Sequence, residues 1–302
     1  MRVQGLHFAA ISLLAVAAAP AAAQTSAGTG ATATTPATPA PALAPPLTAQ
    51  ERQRLVALAQ RGMLLFELAR AAQATTQDML SRIPDPAAAG ITGWVAAPEG
   101  SGLGVVYYAD GPGGPVAVYR GQVVGGRVAA RDIFTGADRP ALTPTQRRMA
   151  AARAAVAGLD RRPCSGDFNV FVIPPASADS SIEVYKLSPQ SQRGRYPLGG
   201  HFLATVAPDG TVASTRAFTQ ACLDLEVPAD ALLAPAGASP ARPLGVTHLL
   251  DPLPTEIHVF LSLWMNRPLL VATGEPSRLW SVARGRIGIV GGTRTPPPGP
   301  GR

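Results

Sequence analysis

The chain has 302 residues and a formal net charge of +7, from 26 Lys and Arg against 19 Asp and Glu. Hydrophobic residues make up 46% but aromatics only 5%, so a core of ordinary size has to be built from Ala, Val, Leu and Ile. Lys186 is the only lysine, and the arginines are scattered among acids and alanines instead of clustering with aromatics, which argues against a nucleic-acid partner.

The first 23 residues have the three marks of a secretory signal peptide. These are a positive start at Arg2, an apolar run over 6–18, and a small-residue cleavage site at Ala21-Ala22-Ala23. The run is too short to stay in a bilayer as a spanning helix. No cysteine stands near the cleavage site to take a lipid anchor. The expected product is periplasmic or secreted, with no transmembrane segment after signal cleavage. Residues 24–47 are Ala, Thr and Pro with almost no sizeable apolar side chain, and read as a disordered linker. The tail 293–302, with Pro296-Pro297-Pro298, reads the same way.

Residues 48–160 form a helical and small antiparallel-sheet region. Thr48 with Glu51 three residues on is a capping box, and Leu55, Leu58, Met63, Leu65, Phe66 and Leu68 supply an apolar face to about Ser81. Gly62 is the weak point of that helix. Pro84 and Pro86 stop it. Strands are expected at 93–97, 104–109 and 115–119, the last continued by 123–133. A second, Ala-rich helix is expected over 145–157.

Residues 161–292 form a C-terminal α+β domain. Strands are predicted at 168–173, 182–187, 200–207 and 211–218, the last two joined by Pro208-Asp209-Gly210. A Pro/Ala loop over 228–243 leads to a strand at 245–250, a helix at 255–266, and a closing meander at 269–273, 278–283 and 286–290. The run 257–265 is apolar nearly all round, which marks a helix buried between layers. Trp264 and Trp280 are read as core residues. The fold class is α+β, a largely antiparallel sheet with flanking helices.

Cys164 and Cys222 are the only cysteines. In an oxidising compartment they read as a disulfide, worth ~3–4 kcal/mol for a loop of this length. Two buried free thiols are the alternative. Phosphate-binding glycine loops, dinucleotide fingerprints, nucleophile elbows and His-Glu-x-x-His helices are all missing from the sequence.

The mature chain keeps His201, His248 and His258. The Asp251-Pro-Leu-Pro254 bend between His248, near a strand end, and His258, in the first turn of the next helix, can bring those two rings together. Asp251 and Glu256 are beside them, and Glu183 is on an earlier strand. Two imidazoles and a carboxylate are the usual minimum for a hydrolytic zinc. In plainer terms, His248 is a satisfied strand-end residue, His258 faces solvent or bonds Asp251, and Glu183 is an exposed cross-strand partner beside Lys186. His201 is read as sharing one sheet face with Leu203 and Thr205.

The order of elements over 145–290 resembles the JAB/MPN metalloprotease-like domains. A helix precedes a hairpin-rich sheet, a Glu sits on an early strand, a strand ends in His, a Pro-containing stretch opens a helix, and a short meander closes the fold. The resemblance implies Glu183 as general base, His248 and His258 as metal ligands, zinc as the cofactor, and peptide or isopeptide substrates, or else a degenerate, inactive descendant of such a hydrolase that has lost its metal. The sequence departs from the family at Val246 and Leu250, where a second His would stand, and at His258, near the family's Asp. The competing reading is a non-enzymatic envelope protein that binds another envelope protein or a cell-wall component. A third is a structural partner tethered through the Pro/Ala segments.

Overall fold

The computed structural model describes residues 45–228 and 242–290. The signal peptide, nearly all of the 24–47 linker, most of the 228–243 loop and the 293–302 tail lie outside the described residues. The rest is α+β, with three α-helices and fourteen strands among the described residues.

Helix α1 (Ala49–Leu80) starts at the expected capping box, with Thr48 and Glu51 each bonding the other's backbone N–H. Strands β1 (Ile91–Glu99), β2 (Gly102–Ala109), β3 (Val116–Val124) and β4 (Arg127–Ile133) follow as an antiparallel meander. The continuation expected over 123–133 is a separate strand. Gly125 and Gly126 both take positive φ, which only glycine adopts at little cost, and they turn the chain back.

Helix α2 (Pro144–Ala157) opens with a second capping box, Thr143 with Gln146. It leads to β5 (Asn169–Val172), β6 (Ile182–Leu187), β7 (Arg195–Pro197), β8 (Phe202–Val206), β9 (Val212–Ala217) and β10 (Asp224–Glu226). Strands β5-β6-β8-β9 form a second antiparallel sheet, and β7 pairs with β10 in a small ribbon that the sequence reading missed. The ribbon's strands are three residues each, too short to show an alternation. Cys164 and Cys222 are disulfide-bonded, with Cα atoms 5.4 Å apart.

The last part is β11 (Leu244–His248), α3 (Glu256–Trp264), β12 (Leu269–Thr273), β13 (Arg278–Ala283) and β14 (Arg286–Ile289). Here β11 pairs parallel to β12, with α3 as the crossover, and β12 to β14 run antiparallel.

The alternation along the first two sheets divides the interior. Val95, Val106, Ile182, Val184 and Ala204 point toward α2, where Met149 and Val156 are fully buried. Ala96, Val105, Tyr107, Phe171 and Tyr185 point the other way, into a larger core with α1, α3 and the inner face of the third sheet. That core runs through both regions separated in the sequence near residue 160. Trp280 is fully buried within it, and Trp264 is partly buried against Phe66 and Phe260.

Gly62 is where the two central helices touch, not a weak point. A Cβ there would come within 2.5 Å of Val259 Cβ and 2.6 Å of the Glu256 carbonyl. The missing side chain lets α3 approach α1, and α3 is buried along almost its whole length. None of the described helices is long and apolar enough to cross a membrane.

Candidate functional site

The bend after β11 does what the sequence predicts of it. It returns the chain over 251–254 so that the His248 and His258 rings pack edge to face, centroids 4.9 Å apart. Both are buried, at 5% and 3% exposure. His248 Nε2–H donates to Asp251 Oδ2 at 2.7 Å, and the same oxygen accepts from Arg216 at 2.7 Å. Burial works to raise the Asp251 pKa, but the His248 hydrogen bond and the Arg216 charge outweigh it and hold the carboxyl below its ordinary value. Asp251 and Arg216 open onto a shallow surface depression lined also by Arg54, Leu58, Pro252, Leu253, Pro254 and Thr255.

His258 is fixed by the start of its own helix. Its Nδ1 accepts the backbone N–H of Thr255, the N-cap residue of α3, at 3.0 Å, and lies 3.0 Å from the Thr255 hydroxyl. The imidazole stands where a capping box usually places Glu or Gln. Since the N–H can only donate, Nδ1 is unprotonated and the neutral ring carries its proton on Nε2. Burial first, and the neighbouring His248 ring second, push the His258 pKa down to about 3.

Glu183 does not join the two rings. Its carboxylate lies 2.8 Å from the Arg61 guanidinium of α1, with both side chains about a third exposed. The plainer expectation for it, a surface pairing beside Lys186, also needs correction. Residues 183 and 186 fall on opposite faces of β6, and Lys186 points toward α2, where its Nζ donates to the Val156 carbonyl at 3.2 Å. Near Glu183, Tyr185 donates to Glu256 Oε1 at 2.9 Å, while Glu256 Oε2 is buried without a partner. Burial, with the Glu256 charge next, raises the Tyr185 pKa. Glu256 lies in the first turn of α3, where the helix N-terminus favours a carboxylate.

His201 is separate from this cluster's hydrogen bonds. It is 1% exposed, its Nδ1 accepts the Ser188 N–H at 3.2 Å, and its Nε2–H donates to the Pro197 carbonyl at 2.8 Å. Burial lowers its pKa to about 4. Unlike Leu203 and Thr205, it stands just before β8 and is fully enclosed.

Among the described residues, no three His, Cys, Asp or Glu side chains are grouped so that they could hold a metal ion. The residues that the family resemblance would assign to zinc therefore do not fit it as they stand. The nitrogens given partners are committed to Asp251 and to the α3 cap, and the carboxylate assigned as base is committed to Arg61. Comparison with known proteins found no matching family model, no similar curated protein and no similar solved structure.

Sequence reasoning placed Asp251 and Glu256 near the histidines but missed Arg216, Tyr185, Arg61 and the role of Thr255. One signal was available. Thr255 and His258 have the capping-box spacing, with an imidazole nitrogen in the accepting role.

Proposed function

We propose that this is a non-enzymatic protein of an exported compartment, acting as a binding or structural component of the cell envelope. In this reading the His248, His258 and Asp251 cluster serves the fold. The observation that carries the proposal is the His258 ring. It is wholly buried, its pKa lies far below neutrality, and its Nδ1 caps the helix that holds the core together. A general base or an exchangeable ligand needs its lone pair available and its pKa near the working pH. The disulfide supports the exported compartment, since such bonds persist where thiols are oxidised.

One geometric fact favours a second reading. The two rings do approach each other, with a carboxylate 2.7 Å from His248. That is the arrangement a degenerate JAB/MPN-like zinc site would leave, with His248 and His258 as former ligands and Glu183, once the base, now paired with Arg61.

Elemental analysis of protein purified without chelator separates the two, together with melting curves with and without added zinc. The structural reading expects substoichiometric zinc and a melting temperature that zinc leaves unchanged. One zinc per chain, lost in both His248→Ala and His258→Ala, would overturn it.

A further inference from the structure

The third sheet has two unlike faces. Its inner face carries Val246, Val271, Trp280 and Val282, all buried against α1 and α3. The register places Thr247 on β11, Leu270 and Ala272 on β12, and Leu279 and Ser281 on β13 on the outer face. No charged residue falls among them. Leu279 is 40% exposed, and Leu249, continuing the outer side just past β11, is 74% exposed.

The charge is gathered at one end of this face. Arg242 stands just before β11, and Arg284 and Arg286 stand in and after the β13–β14 turn, where the register sets Arg286 opposite Ala283 on the outer side. All three are exposed. Among the described residues, no carboxylate pairs with any of them. The opposite end, where Leu249 stands and Glu275 is exposed in the β12–β13 turn, has no free cation on this face among the described residues, since Arg278 is buried on the inner face with Glu51 and Arg216 belongs to β9 and pairs with Asp251. A sheet face that carries half-buried Leu270, exposed Leu279 and, just past β11, Leu249, with three exposed arginines at one end that pair with no carboxylate among the described residues, is complementary to a hydrocarbon boundary under anionic headgroups.

We propose that the outer face of β11–β14, with Arg242, Arg284 and Arg286, is a docking surface for an anionic phospholipid bilayer. Leu249 and Leu279 enter the headgroup boundary and the arginines lie at phosphate level. The proposal deepens the envelope reading by naming the partner. It fails separately from that reading, because zinc content and vesicle binding are independent measurements.

The test is co-sedimentation of the chain from residue 24 with vesicles of phosphatidylglycerol and phosphatidylcholine in equal parts, and with pure phosphatidylcholine vesicles, in 0.1 M NaCl. The expected result is binding to the anionic vesicles only. The variant Arg242→Ser/Arg284→Ser/Arg286→Ser should lose binding at least tenfold, and Leu249→Ser/Leu279→Ser about threefold or more. A control, Arg127→Ser/Arg162→Ser/Arg193→Ser, removes the same charge from exposed sites elsewhere and should stay within twofold. All variants are checked for the parent's melting temperature, and the single Arg286→Ser change stands in if the triple variant does not fold. Three outcomes overturn the proposal. They are no binding to anionic vesicles, an equal loss in the control, and binding to a duplex DNA oligonucleotide in place of vesicles.

Discussion

Two corners of this molecule bury a histidine in the same local way and differ in what surrounds it. At His201 the ring accepts a backbone N–H on Nδ1 and donates to a carbonyl through Nε2. Both of its hydrogen-bond partners are backbone groups. The Ser188 hydroxyl accepts from the Cys164 N–H and donates to the Gly200 carbonyl, which ties the ring to the disulfide loop. At His258 the ring also accepts a backbone N–H on Nδ1, but it faces a second imidazole, then a carboxylate, then an arginine at the surface. Pattern recognition reads the second corner as chemistry because charged groups are near. The hydrogen bonds show that each ring first fixes backbone, one at a strand entry and one at a helix start. The difference between the corners is electrostatic coupling to the surface.

The most severe way to break that likeness is Gly62→Val. The added side chain overlaps Val259 and the Glu256 carbonyl, so α3 must leave α1 and the His258 corner should collapse while the His201 corner keeps its contacts. A loss of at least ~3 kcal/mol is expected, read by denaturant unfolding, with amide exchange rising first in α3. Removing the rings comes next. His258→Ala and His201→Ala should each cost about 2–4 kcal/mol, since each leaves a buried N–H without its acceptor and a cavity behind it. His258→Gln restores an N3 acceptor and should recover part of the loss, whereas no such rescue is expected at residue 201.

Acidification should weaken both corners together. Each folded imidazole has its pKa lowered, to about 3 and about 4, from an ordinary 6.5. Below pH 6.5 the unfolded chain binds protons that the folded chain refuses, so stability falls as pH drops through this window and is constant above it. Urea unfolding at pH 7.5 and 4.5 should differ by on the order of 2 kcal/mol per ring, and each His→Ala variant should remove its own share of the slope. The smallest effect is expected from Asp251→Asn, which keeps the shape and removes the charge facing His248 and Arg216. It should cost about 1 kcal/mol and leave the His201 corner unchanged. The Asp251 pKa is also lowered, so its own contribution is lost only below its ordinary 3.8, at the acid end of the range over which the histidines lose theirs.

Much of the fold was legible because its signals are local. Thr48 with Glu51 gives the start of α1, Pro208-Asp209-Gly210 the β8–β9 turn, and the apolar run at 257–265 the buried α3. The convergence of His248 and His258 was also legible, because seven residues between a strand and a helix, two of them the prolines Pro252 and Pro254, leave the chain few paths. What was not legible depends on distant pairings. Glu183 meets Arg61 across more than a hundred residues, Arg216 reaches Asp251 from another sheet, and Gly62 matters only because Val259 lies against it. The parallel pairing of β11 with β12 follows from α3 crossing between them, and a short strand–helix–strand run does not by itself announce it.

The central claim is that the buried imidazoles hold backbone instead of carrying out chemistry. A pH titration of the histidine Cε1–H resonances by NMR tests it most directly. The account predicts that the His201 and His258 signals stay constant from pH 8 to pH 5, each in a single neutral tautomer. A sigmoidal titration of His258 centred near pH 6.5, or its abolition by zinc, would contradict it.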